Sequence, residues 1–200
     1  MMNLGFIIFF LVYVLGFCMK FFRLPYHTII MAVGAIGVLI IGLLYFIAKE
    51  NDRGLVSLTV SAWCLYLISV VKFLPQTYFL LAAILITIIT VWYTYKRVQN
   101  VPVQTFAACL VFLTATILAL QPKDERYYLF NIKFNHHVEK DYWAWDKYSW
   151  FLNSVDKHDE AVTANEKASS IVAKTEDQEM KDLILVHQIK LKANDWKTFR

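Results

Sequence analysis

Leu24–Ala48 reads LPYHTIIMAVGAIGVLIIGLLYFIA, twenty-five residues without an Asp, Glu, Lys or Arg. As a helix, such a run is long enough to cross a hydrocarbon core roughly 30 Å thick. Four more uncharged stretches accompany it: Met1–Met19, Gly54–Val71, Phe73–Tyr95 and Val98–Pro122. The pattern predicts an all-α, polytopic membrane bundle of about five spans, at 4–19, 28–48, 55–71, 77–93 and 103–120. After Pro122 the composition flips. Residues 123–200 hold 13 Lys+Arg and 14 Asp+Glu, against 7 and 2 in residues 1–122. The expected organisation is therefore a transmembrane domain over 1–122, a juxtamembrane linker over 123–140 and a soluble helical tail over 141–200.

The charge balance bears on partners. The first part carries +5 (7 − 2) and the tail −1 (13 − 14), which sum to the net +4 of the chain. A tail of mixed sign is a solvated protein surface, so no nucleic-acid partner is expected. The positive charge flanks the spans. Lys20, Arg23, Lys72, Trp92, Lys96 and Arg97 are read as membrane-interface anchors, the cations by snorkelling and Trp92 as part of an aromatic belt. The first span has no basic residues before it and no small-x-small cleavage site after Cys18, so it is expected to be retained. Cys18, Cys64 and Cys109 fall in three different spans, which offers no disulfide framework.

Span two carries Gly34, Gly37 and Gly42, which would let another helix approach closely. An internal echo links the first four spans. Lys20-Phe21-Phe22-Arg23-Leu24-Pro25 ends span one, and Lys72-Phe73-Leu74-Pro75 ends span three. The lysines are 52 positions apart and the prolines 50. Both pieces read as helix, lysine, Leu-Pro turn and return helix, since proline stops one helix and suits the first turn of the next. A duplicated hairpin and a common way of ending a membrane hairpin both fit.

Gly16, Lys20, the short turn and the Met31-bearing second helix together resemble the two-helix membrane unit of GldL. That family supplies the inner-membrane motor subunit of gliding motility and type IX secretion. The resemblance implies a bacterial envelope protein with its N-terminus inside and its tail outside the cytoplasm. The chain departs from the family in two respects: Gly34–Phe46 contains no acid, whereas the family carries a Glu there that is linked to proton-driven motion, and five spans are expected here rather than two. Basic residues leave the orientation open. With the tail-proximal lysines and arginine included, six against four favour a cytoplasmic tail. The loops alone give three against four.

In the tail, Tyr127–Phe134 alternates, with Tyr128, Phe130, Ile132 and Phe134 on one side. This fits a short extended segment or an aromatic stretch at the bilayer surface. Helical periodicity begins near Asp141 with Trp145, Tyr148, Leu152 and Val155. It resumes over Asp159–Val172 and Gln178–Lys192. These three helices resemble a tetratricopeptide unit and the start of a second. Trp145 takes the early Trp position, Leu152 the Tyr position, and Ala161 and Ala168 the two small positions at which the helices touch. Ser149 stands at the Gly position and Asn165 where an aromatic is expected. The second unit is offset by about 38 residues rather than 34. The resemblance implies a protein partner, with Trp143, Trp150 and Trp196 as candidate contacts.

Candidate chemistry is sparse. His136, His137 and Glu139 lie close in sequence, but adjacent residues point to different faces, and solvated juxtamembrane side chains are the simpler reading. His158 and His187 are isolated. No phosphate loop, GxSxG or HExxH occurs, and no acid falls inside the five expected spans. No catalytic residue, metal or cofactor is assigned. The expected role is a non-enzymatic scaffold or accessory subunit in the bacterial inner membrane. It would contact membrane lipids, other membrane-protein subunits and a protein docked on the tail. The alternative is a small oligomeric transporter or channel-like protein for a neutral or lipidic substrate, using Thr59, Ser61, Ser69, Thr87, Thr90, Thr94, Gln104, Thr105, Thr114 and Thr116. A lipid enzyme would have only the His136, His137 and Glu139 cluster to work with.

Overall fold

The computed structural model describes residues 2–22, 24–95 and 102–199. All regular structure among them is helical. Five long helices come first: α1 (Met2–Phe21), α2 (His27–Ile47), α3 (Asn51–Lys72), α4 (Gln76–Tyr95) and α5 (Pro102–Leu120). Each is long and apolar enough to cross a membrane. A short α6 (Lys123–Tyr128) runs on into a π-helical turn, Leu129–Lys133, and a 3-10 turn follows at Val138–Lys140. The chain then forms α7 (Tyr142–Asn153), α8 (His158–Val172) and α9 (Gln178–Lys192). It divides into two compact units, Met1–Lys20 with Leu24–Gln121, and Phe21–Arg23 with Pro122–Arg200.

In the first unit α3 is the central helix. Helices α2, α4 and α5 all pack on it, and 78% of its span is buried, against 11% for α4. Its composition accounts for this place. Ser57, Thr59, Ser61 and Ser69 are all buried, and in a bilayer polar side chains gain most by facing the bundle interior. The outward residues of α1, α2, α4 and α5 are mostly Leu, Ile, Val and Phe. Helix α3 also starts earlier than its apolar run, at Asn51 rather than Leu55. Asp52 occupies its first turn, where the helix dipole favours an acid.

Glycines set the α1–α2 contact. A Cβ at Gly16 would meet the Met31 backbone, one at Gly34 the Tyr13 backbone, and one at Gly37 the Phe9 ring. Gly42 faces Leu58 of α3. The two Leu-Pro hairpins turn differently. The first places Tyr26, after its proline, at φ 62°. The second places Phe73, before its proline, at φ 56°. Both are left-handed positions that cost a non-glycine residue about 1 kcal/mol.

In the second unit α7 and α8 form a tight hairpin. Ala161 and Ala168 are fully buried, and the Ser149 hydroxyl donates to the Ala161 carbonyl at 2.7 Å. Helix α9 packs on α8. Asp141 caps α7 by accepting from the Ala144 amide at 2.9 Å, and Asp177 caps α9 from the Met180 amide at 3.1 Å. The stretch expected to be extended is instead helical. Tyr127 and Phe130 are buried, whereas Tyr128 and Phe134 are exposed. Tyr127 stacks on Tyr148 and packs against Phe151, with ring centroids at 6.5 and 5.0 Å. The wider π-helical turn carries Ile132 inward as well. An alternating pattern therefore arose within a helix of uneven pitch.

Candidate functional site

The tail gathers its aromatic residues beside a buried polar centre. After α9, Asn194 adopts φ 53°, and the chain returns so that Trp196 and Phe199 reach the other rings. Phe199 lies 5.1 Å from Trp143, 5.8 Å from Trp150 and 6.1 Å from Trp196, centroid to centroid. The Lys147 ammonium sits 5.7 Å above the Phe199 ring, a cation–π geometry. Trp196 stacks on His187 at 4.5 Å. Trp143 is exposed, Trp150 half-buried and Trp196 buried. Trp196, expected at a partner surface, is thus a core residue, held there by His187 and Leu191. Trp145 donates its indole N–H to the Val138 carbonyl at 3.0 Å.

Beneath these rings, Asp146 of α7 joins three helices. One carboxylate oxygen lies 2.8 Å from His187 Nδ1 of α9, and the other accepts from the Asn165 amide of α8 at 3.1 Å. All three side chains are buried. Burial pushes the Asp146 carboxyl up, and its bonds to His187 and Asn165 oppose that rise. Ser149 and Asn165, the two departures from the repeat pattern, each make a buried hydrogen bond. Among the described residues, the buried indole N–H groups of Trp150 and Trp196 have no hydrogen-bond partner.

A cleft of about 650 Å³ opens at the start of α7, lined by His137, Lys140, Tyr142, Trp143, Asp177 and Met180. Tyr142 donates to Asp177 across it at 3.0 Å, and that bond to a carboxylate raises the phenol's pKa. His136, His137 and Glu139 are exposed. Among the described residues no three His, Cys, Asp or Glu side chains are placed to hold a metal ion. His158 is half-buried near Asn153.

In the first unit, a second cleft of about 380 Å³ runs between α4 and α5, over α3. Its walls include Trp63, Ile84, Thr87, Phe112 and Thr116. The Trp63 indole and the two threonine hydroxyls here are already engaged. Trp63 donates to Thr87 at 2.9 Å, and Thr87 and Thr116 donate back to the Ala83 and Phe112 carbonyls. Elsewhere Thr59 bonds Thr90 at 2.8 Å, Ser61 the Ala35 carbonyl at 2.9 Å, and Ser69 the Tyr66 carbonyl at 2.7 Å. Thr114 bonds the Leu110 carbonyl. At the other end of α5, Gln104 and Tyr45 both donate to Asn3, at 3.1 and 2.6 Å.

Several anchors sit otherwise than their charge suggests. Lys20 is buried. Lys72 is half-buried and lies 3.2 Å from His27 Nε2. His27 Nδ1 lies 2.8 Å from the Leu24 carbonyl, so Nδ1 carries the proton and Nε2 accepts from Lys72. The two Leu-Pro hairpins thereby meet at one end of the bundle. Trp92 is exposed. Arg23, Lys96 and Arg97 lie outside the described residues. Sequence reasoning placed no acid within a span. The longer α3 brings Asp52 into one, buried, with one carboxylate oxygen lacking a hydrogen-bond partner among the described residues. Asn51 and Asp52, residue types favoured at helix starts, stand ahead of the apolar run and were the available sign.

Comparison of the chain with protein-family models, with curated proteins and with solved structures finds no match.

Proposed function

We propose that this integral membrane protein is a non-enzymatic scaffold or accessory subunit of a bacterial envelope complex, and that its tail docks a partner protein. The observation that carries this reading is the aromatic face around Phe199. An exposed Trp143 beside a half-buried Trp150 presents the side chain most enriched among protein-binding hot spots. The helical hairpin with Ala161 and Ala168 at its closest approach supports a tetratricopeptide-like tail, a kind of unit that serves protein docking. The GldL resemblance of the first hairpin points to the bacterial inner membrane.

Tagged full-length protein purified from its native membrane in mild detergent tests this. A stoichiometric partner should co-purify with the unaltered chain and be lost with Trp143→Ala/Trp150→Ala. A chain that emerges alone, or a partner indifferent to that pair, overturns the reading. The cleft between α4 and α5 favours one second reading, a transporter or channel-like protein for a neutral or lipidic guest. Its lining is mostly apolar and its threonine hydroxyls are already engaged, which suits a guest with few hydrogen-bonding groups. Phe112→Trp, which fills the cleft, should then reduce uptake or lipid co-purification without lowering the amount of folded protein.

A further inference from the structure

We propose that two copies of this chain pair through the outer face of α9, antiparallel about a twofold axis at position 187. The proposal goes beyond the docking reading and does not rest on it. Helix α9 turns inward with Ile184, His187 and Leu191, all buried. At 100° per residue, Gln178, Asp182, Leu185, Ile189 and Lys192 fall on the opposite side, in one stripe. All five are exposed. Leu185 and Ile189 keep 54% and 60% of their surface open, which is unusual for neighbouring large apolar residues on a charged helix. Their spacing, 182-185-189-192, is the three-four-three step of a helix–helix seam.

The charges on the stripe specify the occupant. The stripe is symmetric about 187, since 185 and 189 are equidistant from it, and so are 182 and 192. Antiparallel pairing of two copies places Leu185 on the partner's Ile189. It also sets Asp182 against the partner's Lys192, and does both twice. Parallel pairing would set Asp182 against Asp182 and Lys192 against Lys192, a repulsive arrangement. Gln178, which donates to Asp182 at 2.9 Å within one copy, holds that carboxylate at the edge of the seam. Helix α9 ends at Lys192 and the chain then turns at Asn194, so the register closes after the second charged pair. Two apolar layers over about 22 Å of helix make a modest contact. Confinement of both copies to one bilayer raises their effective concentration.

Full-length protein carrying two different affinity tags, co-expressed and purified in mild detergent, tests the pairing. Unaltered copies should co-purify, and native mass spectrometry should show dimers. Asp182→Lys in both copies, or Lys192→Asp in both, should weaken co-purification by about tenfold or more. One copy with Asp182→Lys and the other with Lys192→Asp should recover it. The first then carries two cations on its stripe and the second two anions. A different protein or a lipid seated on the stripe would respond to the single reversals but would not recover on mixing, and that result overturns the proposal. So does a monomeric unaltered chain, or a dimer indifferent to both reversals. All four positions are exposed, so thermal unfolding of α7–α9 should be unchanged; Leu185→Lys provides a second way to break the seam if one reversal misfolds.

Discussion

Lys157 donates to Asp124 at 2.8 Å; the lysine is partly exposed, the carboxylate buried, and its second oxygen has no hydrogen-bond partner among the described residues. Removing the cation would strand a buried acid, so Lys157→Met should lower tail stability by about 2 kcal/mol. Hydrogen exchange of α6 and α8 in the full chain would read it, and an unchanged exchange pattern would mean the acid is paired otherwise. The bond to Asp124 raises the Lys157 pKa, outweighing a small opposing effect of burial. Its contribution is therefore complete at neutral pH and disappears only as pH climbs through the raised value. Asp146 runs the other way for a carboxylate. Burial holds its folded pKa above the usual value near 3.8, so the unfolded chain sheds this proton first. The group's contribution is fully present below 3.8 and falls as pH rises through the raised value. Relative to Asp146→Asn, the natural protein should lose thermal midpoint as pH rises from about 3.8 through the raised value. A difference that stays flat or grows with pH would refute the sign.

At the scale of elements, the α1–α2 contact depends on backbone approaching backbone. Gly34→Ala would press a Cβ against the Tyr13 main chain, and should cost about 1–3 kcal/mol. Gly5→Ala meets only the far end of the Ile41 side chain and should be nearly neutral. Thermal melts of the two detergent-solubilised variants would separate them, and equal effects would contradict the packing described. Glycine spacing made this contact legible before any coordinates. The extent of α3 and the pitch of the aromatic segment were not legible in the same way. Hydropathy marks where a helix is apolar, whereas Asn51 and Asp52 join α3 because its first turn gains from an acid at the dipole's positive end. Tyr128, Phe130, Ile132 and Phe134 look like one face of a strand until a π-helical turn changes which residues share a face. The paired Leu-Pro motifs were visible, but not the left-handed residue that each uses on a different side of its proline.

For the molecule as a whole, five crossings predict that the Leu24 and Leu74 turns label from the same face of the membrane as the tail, and Lys49 from the other. Single cysteines at Leu24, Leu74 and Val155, in a background lacking the three native thiols, should react together with an impermeant maleimide. A cysteine at Lys49 should react only from the opposite face. Any other grouping would change the number of spans. The number of apolar helices, the change of character after Pro122 and the three tail helices were set by the sequence alone. Length, charge-free runs and 3.6-residue periodicity are local properties that each segment carries by itself. Tertiary structure alone decided that α3 is surrounded and α4 is not, that Lys20, Asp52 and Trp196 are buried, and that Asp146, Asn165 and His187 meet. In a bilayer an apolar side chain is equally at home against lipid or against another helix. Which face turns inward is therefore settled by how the helices fit together, and hydrogen bonds between residues 19 and 41 positions apart exist only once they do.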